Sequence, residues 1–307
     1  VRSLDLGHAW GNSRRSDTTK RIQILKTAMK GTREGLFITD LDGTLLRSDG
    51  TFAQSDIDAL ERLSRCRVKT AIATGRSLYS FLNSPGVDLP VDYIIFTTGA
   101  GVVTQHERKL LYQLNLSSEM VSNTLDYLDE SMLDFMMHHP VPDNHRYSYR
   151  RINLENPDFD RRIERYREFG KPLDSSLING SDEAAQFLAV VPPSGADDAL
   201  RQVRSDLPGL SIIRSTSPLD HESTWIEFFH PRVSKGKTAA WLIAELGIDH
   251  ADTMAIGNDY NDLDLLGWAA SSYVVGNAPE DIKEEFRAVA SNDDCGVAEA
   301  VNHWLNE

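Results

Sequence analysis

The sequence has few cysteines and no long apolar run. Cys66 and Cys295 form no CxxC pair and have no histidines at metal-ligand spacing, which argues against a disulfide framework and against a zinc site. No apolar stretch approaches the roughly 18 residues that a transmembrane helix needs, and residues 1–34 lack the apolar centre of a secretory signal. We therefore expect a cytoplasmic protein whose two cysteines are small buried side chains.

Basic residues are also few compared with acidic ones. Asp and Glu number 46 against 32 Lys and Arg, which gives a formal net charge of -14. This charge repels nucleic acids and anionic membranes, so we expect neither as a partner and expect phosphate binding to be local. The exception is the basic segment 1–34, which is either a targeting or anion-binding arm or a solvated, partly helical extension.

Short apolar runs alternate with segments of helical spacing at both ends of the chain. The runs 35–39, 68–73 and 93–96 end in polar or glycine-containing turns, and a helical segment, 56–65, follows the first run. The pattern resumes with predicted helices at 237–246, 262–268, 279–286 and 297–305 and strands at 253–256 and 273–275. It predicts an α/β fold with a Rossmann-like, doubly wound parallel sheet, in which ligands bind beyond the carboxyl ends of the strands.

The stretch 111–230 has a different pattern. Helices are predicted at 117–129 and 160–169, strands at 133–138, 187–191, 210–214 and 225–229, and turns at 140–144 and 192–195. This pattern predicts an inserted α+β domain. The expected organisation is an N-terminal extension over 1–34, a core over 35–110 and 231–307, and the insertion over 111–230.

Two carboxylates, Asp40 and Asp42, follow the first apolar run and precede Gly43-Thr44. One carboxylate can attack phosphorus, while a second can protonate the leaving alkoxide and later take a proton from water. The same oxygens suit Mg²⁺, which offsets the repulsion between an anionic nucleophile and an anionic substrate. Because an Asp-Gly pair is also common in ordinary turns, the interpretation depends on the motifs that follow.

Four stretches together resemble the motifs of the haloacid dehalogenase superfamily of phosphohydrolases, in its Cof-like branch with a C2-type (C2B) cap between the second and third motifs. They are Asp40-Leu41-Asp42-Gly43-Thr44-Leu45, Ala73-Thr74-Gly75-Arg76, Ser234-Lys235-Gly236-Lys237-Thr238 and Gly257-Asn258-Asp259-Tyr260-Asn261-Asp262. The resemblance covers residues 35–307. It implies a magnesium-dependent phosphatase that works through an aspartyl-phosphate intermediate.

The resemblance also implies a role for each matched residue. Asp40 is the implied nucleophile and a metal ligand, and Asp42 is the implied acid/base whose backbone carbonyl binds the metal. Thr74 is implied to donate to the transferred phosphoryl group, although a threonine there can also simply cap the next helix. Lys235 is implied to neutralise Asp40 and the phosphate, and we prefer it to Lys237 because a Lys-Gly pair after a strand is the pattern of the branch.

Two positions depart from the family's pattern. The usual metal-binding Asp of the fourth motif is Asn258 here, with Asp259 one place later, and either residue can complete the metal site. Asn261 and Asp262 match, and are implied to hold phosphate and to orient Lys235. The branch often has Asn-Gly-Ala where this chain has Thr98-Gly99-Ala100, and Thr98 is expected near the substrate.

The insertion is expected to supply substrate specificity, because the core motifs contact only phosphate and metal. Gly75 and Arg76, beside Thr74, are also expected to bind the substrate. Within the insertion, the stretch 138–146 and Arg150-Arg151 offer side chains for a carboxylate, a second phosphate or sugar hydroxyls. The alternative is a solvated hairpin with scattered charge.

The sequence thus predicts a phosphatase acting on a small phosphorylated metabolite such as a sugar phosphate or a sugar-acid phosphate. Two alternatives stay open. A phosphomutase or phosphotransferase would use the same core residues, and a non-catalytic phosphometabolite-binding module is encouraged only by Asn258. The oligomeric state also stays open.

Overall fold

The computed structural model describes residues 34–84, 88–153, 155–174 and 182–307, so the basic segment lies almost entirely outside the described residues. The strands in these ranges are β1 (Gly35–Thr39), β2 (Val68–Ala73), β3 (Tyr93–Phe96), β4 (Gly101–Thr104), β5 (Leu110–Gln113), β6 (Phe135–His138), β7 (Tyr147–Arg150), β8 (Gly170–Pro172), β9 (Gln186–Val191), β10 (Ser211–Thr216), β11 (Thr224–Phe229), β12 (Thr253–Gly257), β13 (Ser271–Val274) and β14 (Arg287–Ala288).

The α-helices in the same ranges are α1 (Gln54–Arg65), α2 (Leu78–Leu82), α3 (Ser118–Glu130), α4 (Pro157–Arg165), α5 (Ala196–Asp206), α6 (Lys235–Leu246), α7 (Leu263–Trp268), α8 (Glu280–Glu285) and α9 (Gly296–Asn306). None of the helices in the described part of the chain is both long enough and apolar enough to cross a membrane.

The core sheet has the strand order β14-β13-β12-β1-β2-β3-β4-β5. Its strands from β14 to β3 are parallel, and β4 and β5 are antiparallel. Phe37 and Ile72 pack on the side of α1 and α9, while Leu36 and Ile38 pack on the side of α6 and α7. Burial of both faces explains why the parallel strands are almost continuously apolar. The predicted Rossmann-like, doubly wound α/β core is confirmed.

The second sheet, which we name the cap sheet, has the order β10-β11-β9-β6-β7-β8. Phe135 and Phe187 lie on its outer face, in a cluster with residues of α3 and α5. Met136 and Leu188 lie on the opposite face and pack with Phe159 of α4. Strand alternation places His138, Gln186 and Glu227 on this second face too. We name it the inner face, because side chains near it contact the core sheet's loops.

Several elements differ from the sequence-based expectation. Strand β5 pairs with β4 in the core sheet, so this sheet extends past the predicted boundary at residue 110. Helix α4 starts earlier than predicted because Asn156 caps it and Pro157 occupies its first turn. Helix α5 and strands β7 and β8 were not predicted. The thiols of Cys66 and Cys295 are free and only half-buried at the edge of the core, rather than fully buried.

Candidate active site

Four neighbouring parallel strands bring polar residues to one edge of the core sheet. Asp40 follows β1, Thr74 follows β2, Thr97 follows β3, and Asn258 follows β12. Because the carboxyl ends of parallel strands lie at the same edge, residues distant in sequence meet there.

Lys235 is a buried cation between two carboxylates. Its Nζ lies 2.6 Å from Asp40 Oδ1 and 2.6 Å from Asp262 Oδ1, and its side chain is 0% exposed. Burial alone would lower the pKa of Lys235, but Asp262 and Asp40 outweigh this effect and raise it. Lys237 is exposed and donates to a backbone carbonyl. The structure therefore places Lys235, and not Lys237, beside the predicted nucleophile.

Asp262 binds both Lys235 and the backbone of the loop after β12. Its second oxygen, Oδ2, accepts hydrogen bonds from the backbone N–H groups of Asn258 at 2.9 Å and Asp259 at 3.1 Å. The residue thus shapes the loop after β12 while it holds Lys235. Burial, with the nearby charges of Asp262 and Asp42, raises the pKa of Asp40 to about 7 despite the opposing effect of Lys235. Near neutral pH the ionised form of Asp40 therefore depends on a neighbouring positive charge.

Asn258 supplies the third group of a potential metal site. One atom of its amide lies 3.0 Å from the Asp42 carbonyl oxygen, 3.2 Å from Asp40 Oδ2 and 3.0 Å from Thr44 Oγ1. As nitrogen, this atom has two N–H bonds, so it can donate to two of these oxygens while it lies within hydrogen-bond distance of the third. As oxygen, it accepts from Thr44 and stands beside two more oxygens at about 3 Å, the separation of adjacent ligands when Mg–O distances are about 2.0–2.1 Å. The donor set therefore fits Mg²⁺.

Gly43 allows this close approach. Its φ of +76° lies in the left-handed region, and a Cβ atom there would lie 2.7 Å from Asn258 Nδ2. A larger residue would both strain the turn and push the amide away from Asp42. Gly43 is thus needed so that the side-chain amide of Asn258, which follows β12, can approach Asp42.

Asp259 has a different partner. Both of its carboxylate oxygens accept from Thr216 at the end of β10, from the backbone N–H at 2.9 Å and from Oγ1 at 3.0 Å. The structure thus ties Asp259 to the cap sheet and brings Asn258, rather than Asp259, to Asp40. Within the described ranges no three His, Cys, Asp or Glu side chains form a metal-binding group, since two of the three donors here are an amide and a backbone carbonyl.

Arg76 contacts the predicted acid/base. Its Nε donates to Asp42 Oδ2 at 2.8 Å, its Nη2 donates to the other carboxylate oxygen, and its Nη1 contacts Ser84 Oγ. We predicted Arg76 as a substrate-binding residue, but in this structure it forms a bidentate ion pair with Asp42. Because Arg76 holds both carboxylate oxygens, Asp42 must separate from Arg76 before it can reach a leaving group.

The remaining predicted phosphate-binding residues converge around Gly75. A Cβ atom at Gly75 would lie 3.6 Å from Thr98 Oγ1 and 3.9 Å from Asn261 Nδ2. Thr74 Oγ1 accepts from the Arg76 backbone N–H at 3.1 Å, which leaves its own proton available to a ligand. Thr98 has a φ of +53° and its neighbour Thr97 one of +51°, an uncommon conformation for β-branched residues that often marks functional sites.

The cap sheet contacts the same edge. Thr98 Oγ1 donates to Glu227 Oε2 at 3.1 Å, and Ser215 donates to the other Glu227 oxygen at 3.1 Å. Glu227 was not predicted from the sequence, although one acid within the apolar run 225–229 was a usable signal. Arg162 on α4, whose guanidinium lies 4.2 Å from the Trp225 ring centre, was not predicted either.

Two arginines proposed from sequence are not at the site. Arg150 pairs with Asp129 of α3 and stacks 5.9 Å over Phe135, on the outer face of the cap sheet. Arg151 pairs with Asp160 of α4. The adjacent positions signalled a basic cluster, but each charge has a structural partner within the cap.

Comparison with known proteins agrees with this geometry. A family model described as haloacid dehalogenase-like hydrolase matches residues 37–301. The chain belongs to this family. As a haloacid dehalogenase-like hydrolase of the Cof-like branch, it has the motif residues Asp40, Asp42, Thr74 and Lys235 gathered at one edge of its core sheet.

Relatives of known name cover nearly the whole chain. Phosphatase YwpJ of Bacillus subtilis is 24% identical over 88% of this chain and 99% of its own length. The 5-amino-6-(5-phospho-D-ribitylamino)uracil phosphatase YwtE of the same organism is 25% identical over 87% and 96%. The phosphatase BT1666 of Bacteroides thetaiotaomicron shares the fold, with a TM-score of 0.73, 20% identity and coverage of 89% and 96%. The protein is thus a phosphatase, a phosphoric monoester hydrolase.

Proposed function

We propose that this phosphatase releases phosphate from a small phosphorylated metabolite through a phosphoaspartate formed on Asp40, with Mg²⁺ held by Asp40, the Asp42 carbonyl and Asn258. The observation that carries the proposal is the buried contact of Lys235 with Asp40 and Asp262. A fixed cation beside a buried carboxylate suits an anionic nucleophile that must approach an anionic phosphate.

Each residue has a defined task in this reaction. Asp40 attacks phosphorus, and the bond to the leaving oxygen breaks as Asp42 protonates that oxygen. Asp42 then takes a proton from the water that hydrolyses the phosphoaspartate, which returns both carboxylates to their starting states. Lys235, Thr74 and Asn261 hold the phosphoryl oxygens. Mg²⁺, when bound, offsets the charge of the phosphate during both steps.

The ion pair between Arg76 and Asp42 is the resting state in this proposal. Substrate phosphate competes with Asp42 for the Arg76 guanidinium, because arginine binds phosphate with the same bidentate geometry. Once released from Arg76, Asp42 takes up a proton from solvent and can act as an acid; after hydrolysis it returns this proton to solvent and pairs with Arg76 again. Arg76 thus serves the substrate, as predicted from the sequence, but by exchanging partners.

We propose that residues 35–110 and 231–307 perform the phosphoryl chemistry and that the insertion selects the substrate. The relative YwtE has a name that places the phosphate on a ribityl chain, which supports a sugar phosphate or a related ester here. A sugar-acid phosphate is equally compatible with this support from the relative's name. A cytoplasmic location, a C2B cap and the absence of nucleic-acid and membrane partners stay predictions.

The test is a phosphate-release assay on a panel of small phosphate esters, with Mg²⁺ and with EDTA, beside the Asp40→Asn variant. We expect Mg²⁺-dependent release that the variant loses. Tight ligand binding without turnover would instead support a binding module. An isomeric phosphate ester formed without free phosphate would support a phosphomutase.

A further inference from the structure

The inner face of the cap sheet contains a histidine with one unpaired nitrogen. His138 Nδ1 lies 2.8 Å from the Asn144 backbone carbonyl, which can only accept, so Nδ1 carries the proton. Nε2 is therefore an acceptor, and it has no partner in the described part of the protein. The residue is 6% exposed, and its burial lowers its pKa to about 3, which keeps the ring neutral.

Two more acceptors lie beside it. Asn144 Oδ1 and Gln186 Oε1 are buried and likewise lack partners among the described residues. Gln186 is directly opposite His138 in the pairing of β9 with β6. Asn144 is fixed over the core, since its Nδ2 donates to Thr97 Oγ1 at 2.7 Å. We name His138, Asn144 and Gln186 the acceptor patch.

A donor lies close to this patch. Arg162 stacks on Trp225, its Nε contacts Met136 Sδ at 3.3 Å, and it forms no ion pair within the described ranges. Met136 precedes His138 by two residues on β6, and Trp225 precedes Glu227 by two residues on β11, so these contacts place the guanidinium on the inner face, near both groups. A guanidinium has five N–H donors in a fixed plane, so most of its donors stay available.

Glu227 and Asn144 connect these groups to the catalytic edge. Glu227 accepts a hydrogen bond from Thr98 Oγ1 at 3.1 Å, and Asn144 donates to Thr97 Oγ1 at 2.7 Å. Thr97 and Thr98 follow β3 at the catalytic edge. The acceptor patch and Glu227 therefore lie against this loop, and Arg162 lies on the same inner face.

We propose that the acceptor patch, Arg162 and Glu227 recognise the hydroxyl groups of the substrate's leaving group, so that the substrate is the phosphate ester of a neutral sugar or polyol and sugar-acid phosphates are rejected. A hydroxyl group both donates and accepts, and can therefore satisfy the buried acceptors and Arg162 together. A carboxylate can pair with Arg162 but offers no proton, so it would leave the three buried acceptors unpaired and would be repelled by Glu227. This inference depends on the proposed phosphatase reaction.

Matched substrates test the inference. Purified protein with Mg²⁺ is assayed on four pairs of phosphate esters that differ only in a terminal alcohol or carboxylate: glycerol 3-phosphate and 3-phosphoglycerate, and the corresponding four-, five- and six-carbon pairs. Acetyl phosphate, whose leaving group has no hydroxyl, measures the core chemistry alone. We expect the alcohol of at least one pair to exceed both its acid and acetyl phosphate in kcat/KM by about tenfold or more.

The possible failures are distinguishable. If acetyl phosphate and all eight esters give no phosphate, the proposed phosphatase reaction fails. If phosphate is released but every acid equals or exceeds its alcohol, or no alcohol exceeds acetyl phosphate, the hydroxyl inference is overturned while the phosphatase reaction stands.

Variants then locate the selectivity. Arg162→Met keeps an apolar side chain against Trp225 and should lower the ratio of alcohol ester to acetyl phosphate turnover by about tenfold. Glu227→Gln removes the negative charge and should lower the ratio of alcohol to acid turnover. The matched control is Arg150→Met on the outer face, which should preserve both ratios. Equal effects of Arg162→Met and Arg150→Met, with no change in Glu227→Gln, would contradict the assignment.

Discussion

The catalytic edge of the core sheet and the inner face of the cap sheet both contain buried polar groups, but they differ in how these groups are paired. At the catalytic edge Lys235 bonds to two carboxylates, and the second oxygen of Asp262 has two backbone partners. On the inner face, His138, Asn144 and Gln186 each have an acceptor without a partner in the part of the chain that the structure describes.

The difference indicates two ways of using buried polarity. A paired network is held ready before the substrate arrives, which suits chemistry common to every phosphate ester. Unpaired acceptors are costly until a ligand fills them, which suits selection among leaving groups. The same fold thus separates reactivity from selectivity.

The largest effect should follow from breaking the paired network. Lys235→Met leaves two buried carboxylates without their cation, so we expect activity to fall about 10³-fold or more and unfolding free energy to fall by about 3–5 kcal/mol. Phosphate release and chemical denaturation measure the two effects. Lys237→Met, two residues along the same helix, should change neither; equal losses in both variants would remove the distinction between these lysines.

A negative charge at position 258 should strengthen Mg²⁺ binding at the catalytic edge. Asn258→Asp adds a carboxylate beside Asp40 and the Asp42 carbonyl, so it should bind Mg²⁺ about tenfold more tightly, because ligand charge raises cation affinity. Calorimetric titration of the protein with MgCl₂ measures this. Asn258→Ala should weaken Mg²⁺ binding instead. If both variants bind Mg²⁺ with the wild-type affinity, Asn258 is excluded as a ligand.

An aromatic contact joins the two regions and should have a smaller effect. Tyr79 of α2 stacks on His145 at 4.4 Å and meets Phe169 edge-on at 5.0 Å. Tyr79→Ala should loosen the cap and raise KM about 3–10-fold with little change in kcat, since such pairs are worth about 0.5–1.5 kcal/mol. Tyr79→Phe should retain the wild-type KM. A fall in kcat alone would contradict a role in holding the cap.

The smallest effect on activity is expected away from both regions, where a buried carboxylate affects stability instead. Asp56 is buried in the first turn of α1 and faces the start of α9, where its Oδ1 accepts from the Ala298 N–H at 2.8 Å and its Oδ2 has no partner among the described residues. Burial raises its pKa to about 6. Between about pH 4 and 6 the native state binds a proton that the unfolded state has lost, so this group's contribution to stability falls as pH rises.

Asp56→Asn removes that penalty. The variant should gain about 1–2 kcal/mol over wild type at pH 7 and little at pH 4, with catalytic activity preserved. Denaturation at a series of pH values measures the difference. A gain that is constant from pH 4 to 7 would show that ionisation of Asp56 is not its cause.

The sequence predicted the catalytic edge better than the inner face for a physical reason. Asp40, Thr74 and Asn258 each follow a buried parallel strand, and strand ends can be read from apolar periodicity. The hydrogen-bond or ion-pair partner of a side chain cannot be read from this periodicity. Arg76 meets Asp42 across 34 residues of sequence, and Thr216 meets Asp259 across 43, and only the folded chain selects these pairs.

The inner face shows the same limit more strongly. Arg162 belongs to an amphipathic helix and Glu227 to an apolar strand, and neither local pattern indicates that both lie on the inner face of the cap sheet. The antiparallel hairpin of β4 and β5 was missed because β5 is largely exposed and its side chains lack the apolar pattern of a buried strand. Local periodicity thus locates elements, while long-range packing decides which side chains face each other.

The most direct measurement is to quench the enzyme with acid during turnover of a phosphate ester in Mg²⁺ and to map the phosphorylated peptide by mass spectrometry. The account predicts a phosphoryl group on Asp40 and none on the Asp40→Asn variant, which should release no phosphate. A phosphoryl group on another residue, or undiminished turnover by Asp40→Asn, would contradict it.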